Sequence, residues 1–372
     1  MLIYAVPCTF AGPLSGTTMH DLTLAPRTDP TSLYRSRDEL YVTDMLIAAL
    51  NGLDLFTWLD SHPGTVNDIA RHFEFHRRPV DVMTTLFVAM ELLQRDGDVL
   101  SVTERAREHL VSSSPWFLGP YYPKPADRPI ARDLIDVLRT GQPANFASRK
   151  NEADWHRAME TESFAEEFTA AMDCRGLLLA QALARNLDLE GRRLLLDIAG
   201  GSGVYACSIA AHFPDLEGAV VEKPPVDRIA GRAISRRGFE SRIQVVAADI
   251  LNDPLPAGFD VHLFSNVLHD WDVPVVQQLL RASAEALTPG GLLIIHDAFL
   301  NAAKTGPLPM AGYSVLLMHV TQGRCYSVSE MSDWLVEAGF DRPSEVPSAA
   351  GRSALVARRL GGVVRAGRSV RE

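Results

Sequence analysis

The run Leu194-Leu-Leu-Asp197-Ile-Ala-Gly200-Gly201-Ser-Gly203 constrains the chain more than any other segment. Leucines ending in an acid, then glycines, then the apolar stretch Val204 to Phe213, predict a strand, a tight turn and a helix. Glycines let the backbone bend sharply and let a ligand approach the main chain. The free N–H groups of the helix start face the same spot. The spacing Gly201-Ser-Gly203-x-x-Ala206 fits a dinucleotide fingerprint, with Glu222 placed to reach a ribose. Asp197 separates the ligand classes. A pyrophosphate at a helix N-terminus wants positive potential, whereas an ammonium and a sulfonium gain from an acid. Glu222 and Asp249 follow at the next strand ends. Three acids in a row suit a cationic nucleoside, S-adenosylmethionine, and disfavour NAD.

From Arg193 onward strands and helices alternate, which predicts a parallel sheet covered on both faces. Strands are expected at Arg193–Ile198, Gly218–Glu222, Ile243–Ala247, Phe259–Ser265 and Leu292–Asp297. Helices are expected between them, including Pro274–Leu287 and Leu308–Gln322. Ser327-Val-Ser-Glu330 is a capping box opening a helix through Glu337. Two edge segments, Arg342–Val346 and Ser353–Arg359, then form a terminal antiparallel hairpin, which a plain dinucleotide fold lacks.

The N-terminal part has another character. Tyr41–Leu50, Leu53–Leu59, a capped helix from Thr65 and an apolar helix over Pro79–Leu93 precede a hairpin around Asp96-Gly-Asp98. A short helix from Thr103 to Val111 completes a winged-helix pattern over 31–114. A winged helix binds DNA or pairs subunits. Here Asp81, Met83, Leu86, Phe87 and Met90 make the third helix apolar, and Arg77 and Arg78 alone cluster nearby. A net charge of −10 argues the same way, against nucleic acid or an anionic membrane as main partner. Subunit pairing is the expected role. Between the two parts, 115–190 begins with a Pro- and aromatic-rich stretch without clear regular structure. It continues in helices over Glu152–Leu189, with Trp155, Met159, Phe164, Phe168, Met172 and Leu177 on their apolar side.

No uninterrupted apolar stretch reaches the length of a membrane span. Four cysteines, widely spaced and without a CxxC pair, fit buried thiols in a reducing, cytoplasmic compartment rather than disulfides or a metal site. Residues 1–30 lack a basic n-region and read as a dispensable flexible leader, with Met19 as an alternative start. The tail 361–372 is basic and expected to be flexible.

The loop after the fourth strand reads Ser265-Asn-Val-Leu-His269-Asp270-Trp271. An imidazole beside the cofactor pocket can take the proton of an acceptor hydroxyl, because its pKa of about 6.5 lies near working pH. Asp249 can accept from the adenine amine while Ile250 lies against the ring.

Asp197-Ile-Ala-Gly-Gly-Ser-Gly203, Glu222-Lys-Pro224, Ala248-Asp249-Ile250 and His269-Asp270-Trp271, in that order, resemble the caffeate/hydroxyindole-type small-molecule O-methyltransferases. The likeness runs from about Leu33 to Arg359. It implies a class I methyltransferase, Rossmann-like α/β sheet over 191–360. It also implies a homodimer whose N-terminal, mainly helical domain helps roof the partner's pocket. By family position His269 is the general base, with Asp270 beside it and Asp297 orienting it. The cofactor positions are Asp197, Ala199, Gly200, Gly201, Gly203, Glu222, Asp249, Ile250 and Ser265. Phe168, Met172, Arg175, Met310, Tyr313, Leu317 and Met318 would line a pocket for a flat aromatic acceptor.

The chain departs from the family at four places. Ala199 replaces the first turn glycine, tolerable if its φ stays negative. Glu222 replaces an aspartate and keeps both acceptors. Ser265 stands where a lysine is frequent, and Cys325 where a second carboxylate would help hold His269. The expected reaction is therefore O-methylation of an aromatic hydroxyl. The alternatives are C-methylation or hydroxylation on the same fold, or a non-enzymatic winged-helix regulator. His262 and His296 are expected inside the sheet, and His319 faces either substrate or core.

Overall fold

The computed structural model describes residues 22–144 and 158–361. The chain opens with helices α1 (Thr31–Asp38), α2 (Val42–Ile47, running on as a π turn over Ala48–Gly52), α3 (Leu55–Ser61), α4 (Val66–Phe73) and α5 (Arg77–Ala89). The capping box at Thr65 and Asp68 starts α4. Helix α5 stops four residues short of the expected Leu93, because Glu91 takes a φ of +57° and turns the chain outward. The hairpin of β1 (Leu93–Asp96) and β2 (Val99–Val102) pairs Asp96 with Val99 around Gly97, and α6 (Glu104–Leu110) follows.

In the Pro-rich stretch lies an unforeseen helix, α7 (Pro129–Thr140). Pro129 occupies its first turn and Gly141, at φ +68°, ends it. A single long helix, α8 (Glu162–Asn186), then leads into the sheet. The predicted helical residues 152–157, Trp155 among them, lie outside the described residues, as do the leader 1–21 and the tail 362–372. Leu22, placed in the leader by sequence, is fully buried against Leu179 and Leu183 of α8.

The remainder alternates as anticipated: β3 (Leu194–Ile198), α9 (Val204–His212), β4 (Glu217–Glu222), α10 (Val226–Arg236), β5 (Ile243–Ala247), β6 (Val261–Ser265), α11 (Val273–Ala286), β7 (Leu292–Asp297), α12 (Leu308–Val320), α13 (Val328–Glu337), β8 (Ser344–Pro347) and β9 (Ser353–Arg358). The sheet order is β5-β4-β3-β6-β7-β9-β8. The first five strands are parallel, and β9 runs antiparallel between β7 and β8. Strand order reverses beside β3, whose neighbours are β4 and β6. Ligands of open sheets bind above such a switch point, at the carboxyl ends.

Alternating side chains fill both faces. Leu195 and Leu263 pack with α8 and α9 on one face. Leu196 and Phe264 pack with α11 on the other. A third cluster joins Met45, Phe56, Leu86 and Phe87 of the N-terminal helices to Tyr313, Val315 and Met318 of α12. Helix α12 is thereby shared between the two parts, and its opposite side closes the cavity above the sheet.

Candidate active site

The turn after β3 departs from regular geometry at its first residue. Ala199 donates to the Val221 carbonyl at 2.9 Å and sits at φ +54°. Its φ is therefore positive, contrary to expectation: the residue stays bonded to the neighbouring strand while the chain already reverses. Gly201, at φ +60°, donates its N–H to Glu222 Oε1 at 2.8 Å. A Cβ at Gly201 would meet nothing within 4 Å, so this stretch of main chain faces open cavity.

Two residues assigned to the cofactor from sequence lie off the cavity wall. Asp197 is fully buried beneath the turn, where a Cβ on Gly200 would stand 2.5 Å from its carboxyl carbon. Its Oδ2 accepts from the Ala206 N–H at 3.3 Å and its Oδ1 has no hydrogen-bond partner. Burial pushes its pKa to about 7. Asp197 therefore supports the turn from behind. Gly203 caps α9, where a Cβ would crowd Ile234 and Val220.

A cavity of about 410 Å3 spans the strand ends, α8 and α12, within the size range of small-molecule sites. Ala199, Gly200, Gly201, Glu222, Asp249, Ile250 and Ser265 form one end. Burial raises the Glu222 pKa to about 7, so a cation there would be stabilised while drawing the proton off. Asp249 is fixed by the Leu251 N–H and the Asn252 amide, each at 2.9 Å. Ser265 Oγ accepts from Asn266 at 3.2 Å and lies 3.3 Å from His296 Nδ1. Open main chain, two acids and an apolar wall at Ile250 fit S-adenosylmethionine.

At the other end His269 sits in a 3₁₀ turn, Leu268–Asp270, following β6. Its Nδ1 is hydrogen-bonded to Asp297 Oδ1 at the end of β7, behind the wall. Asp297 also accepts from the Ala298 N–H at 2.7 Å. Burial alone would raise the Asp297 pKa, but His269 and the Ala298 N–H hold it below the usual carboxylate value. An ionised carboxylate only accepts, so Nδ1 carries a proton, and in the neutral ring the lone pair lies on Nε2, on the cavity side. For His269 burial acts downward, and Asp297 and Asp270 outweigh it, leaving its pKa above the ordinary value. Asp270 Oδ1 lies 3.7 Å from Nε2, so a second carboxylate does attend the imidazole, one residue along the chain. Burial lifts the Asp270 pKa to about 6.

Phe168, Met172 and Arg175 of α8 and Tyr313 and Leu317 of α12 line this end, whereas Met310 and Met318 do not. Those two methionines are buried in the N-terminal core. The facing positions are Tyr313, Leu316, Leu317 and Val320, a helical stripe that places Met318 on another side. Leu316 and Val320 belong to that stripe; sequence reasoning missed them, as it did Tyr205, Asn266 and Arg37, which also line the cavity.

Cys325 is fully buried, and burial raises its thiol pKa well above the ordinary value, which suppresses the thiolate. His262 and His296 are buried, and burial lowers the pKa of each to about 3. His319 turns away from the cavity, its ring 4.9 Å from that of Tyr41 and its Nε2 3.5 Å from Asp133.

Residues 132–341 match the O-methyltransferase domain family. The chain is 32% identical over 314 residues to 3-hydroxy-5-methyl-1-naphthoate 3-O-methyltransferase of Streptomyces sahachiroi, covering 83% of this chain and 89% of that protein. Aclacinomycin 10-hydroxylase of Streptomyces purpurascens is 35% identical over 164 residues, 44% of this chain and 43% of its own. An O-methyltransferase family 2 protein from Planctomyces limnophilus, solved in complex with apigenin, superposes with a TM-score of 0.83 at 30% identity, covering 91% of this chain and 99% of that one. The chain belongs to the S-adenosylmethionine-dependent O-methyltransferase family.

Proposed function

We propose that this S-adenosylmethionine-dependent O-methyltransferase acts on a hydroxyl of a flat aromatic small molecule, with His269 as general base. The observation that carries the assignment is the His269–Asp297 pair, which presents Nε2 to the cavity. S-adenosylmethionine supplies, when bound, an electrophilic methyl group on a sulfonium. The turn at Gly201, with Glu222, Asp249 and Ile250, holds the nucleoside. Phe168, Met172, Leu316 and Leu317 press on the faces of an aromatic ring and exclude water. His269 Nε2 takes the hydroxyl proton, and Asp297 keeps the ring oriented and stabilises the imidazolium that forms. Orientation inside the pocket supplies much of the remaining acceleration.

His269→Ala should cut turnover on the order of 100-fold or more while the affinity for S-adenosylhomocysteine, read by calorimetry, stays near wild type. Unchanged turnover would remove the base assignment. Asp249→Ala should instead weaken nucleoside binding, and unaltered affinity would refute that contact. The hydroxylase relative motivates a product assay: a methyl ether supports O-methylation, and a new ring hydroxyl or C-methyl group would replace it by the altered chemistry.

A homodimer paired through the N-terminal helices is part of the same reading. Apolar side chains stand open there, with Leu33 71% and Leu40 42% exposed. Sedimentation equilibrium should give twice the chain mass, and a monomer at working concentration would rule pairing out.

A further inference from the structure

We propose that Arg175 binds a carboxylate on the acceptor, so that the substrate is an aromatic hydroxy acid carrying its acid group close to the hydroxyl that is methylated. The inference rests on the O-methylation reading above and deepens it.

Arg175 stands on α8 with its side chain on the cavity wall. Nη1 donates to the Tyr313 hydroxyl at 3.2 Å, and the buried Nε has no hydrogen-bond partner. The Tyr34 hydroxyl donates to the Arg175 carbonyl at 2.9 Å, which pins this turn of α8 in place. The guanidinium forms no ion pair among the described residues.

That sets it apart from the fully buried arginines, and from the half-buried Arg78 and Arg242, whose guanidinium groups donate to main-chain carbonyls. Arg237 pairs with Asp173, Arg324 with Glu330 at 2.7 Å, and Arg352 with Asp38 at 2.6 Å. An arginine stays charged at any working pH, and a charge withdrawn from water without a counterion is unfavourable. Arg175 is thus a cation with no ion-pair partner among the described residues, near enough to Asp270 to feel its charge, on the wall of the space an acceptor would fill. Its planar fork matches a carboxylate better than it matches a lone phenolic oxygen.

Glu222, Lys223 and Asp249 line the nucleoside end, while Arg37 and Arg175 line the acceptor end together with Asp270. The Tyr313 hydroxyl that accepts from Arg175 belongs to a ring standing edge-on 5.6 Å from the His269 ring. An acid held by Arg175 beside Tyr313 therefore keeps the aromatic ring next to His269, which favours a hydroxyl close to the carboxylate, as in an ortho-hydroxy acid. A neutral phenol would fill the apolar part of the same pocket and leave the guanidinium unpaired.

The test compares salicylate with salicylamide, and an ortho-hydroxynaphthoate with its primary amide. Methyl transfer is measured with wild type, Arg175→Lys and Arg175→Met. Binding of the same compounds to protein loaded with S-adenosylhomocysteine is measured by calorimetry. Wild type should prefer each acid over its amide by about tenfold or more in kcat/KM and in affinity. Arg175→Met should bring the acid down to the level of the amide, and Arg175→Lys should fall between. Equal S-adenosylhomocysteine affinity in all three proteins shows that the fold and the nucleoside end are intact. Amides handled as well as acids by wild type, an acid preference surviving in Arg175→Met, or no preference in either assay would each overturn the proposal. An Arg175-dependent acid preference in binding with no methyl ether formed would sustain the carboxylate subsite and sink the O-methylation reading. Methylation of acid and amide alike would do the reverse.

Discussion

Ala199 carries backbone strain at the centre of the cofactor end. At φ +54° an L residue crowds its own carbonyl, at a cost of about 1 kcal/mol that glycine avoids. Ala199→Gly should therefore raise the unfolding free energy by about 1 kcal/mol, read from urea midpoints, with S-adenosylhomocysteine affinity little changed. A loss of stability would mean that packing of the methyl group outweighs the strain. The sign of this φ was not legible in the sequence, because the 2.9 Å bond to Val221 that fixes it comes from another strand. Glu222, Asp249 and His269 were legible as cavity residues, because each ends or follows a strand that its own neighbours specify, whereas Asp197 lies beneath the turn. His269 gives a second prediction at this scale. Its pKa stands above 6.5 because two carboxylates outweigh burial. The imidazole is thus charged at and below that pH, and the base form grows as pH rises through the higher midpoint. An NMR titration of the ligand-free protein should place the midpoint above 6.5, and Asp297→Asn should lower it, since burial would remain while one attraction is lost. A midpoint unmoved by Asp297→Asn would contradict the pairing.

The 3₁₀ turn bearing His269 is held by an element distant in sequence. Gly323, just past α12, lies against it so closely that a Cβ would overlap the His269 carbonyl oxygen and stand 2.7 Å from the Trp271 nitrogen. Arg78 of α5 donates to the Gly323 carbonyl at 2.9 Å and locks the loop there. Both groups facing the added methyl are backbone, so the turn itself must move. Gly323→Ala should reduce kcat on the order of 100-fold and leave nucleoside affinity intact; wild-type kcat would show that the loop yields instead. Helix α12 explains why its pocket face was only half legible. Met310 to Met318 are buried on every side, so the sequence offers no polar stripe to contrast with an apolar one. Only the neighbours decide which residues meet substrate, and they select Tyr313 and Leu317 over the methionines. The terminal hairpin and the capped helix α13 were read correctly because caps, glycines and alternation are local signals.

The whole molecule is tied across its two parts by an ion pair that no local pattern announces. Asp38 on α1 and Arg352, just before β9, are each 2% exposed and pair at 2.6 Å across 314 residues of sequence. The sequence suggests separate parts because their periodicities differ. The packing joins them through this pair and through the core that α12 shares with the N-terminal helices. Removing one partner strands the other charge away from water, so Arg352→Met alone should destabilise the chain by about 3–5 kcal/mol. Replacing both, as in Asp38→Leu with Arg352→Met, should recover most of that loss, because an apolar pair needs no solvation. Urea unfolding of the two single variants and the double variant forms the cycle that reads this coupling. The same arginine lies 5.1 Å from the Tyr313 ring, and Tyr313 in turn accepts from Arg175. In the double variant, restored stability should therefore coexist with a raised KM for the acceptor and an unchanged affinity for S-adenosylhomocysteine. Full recovery of acceptor KM along with stability would confine the pair to holding the fold. A persistent KM defect would show that the N-terminal helices help shape the acceptor end of the cavity.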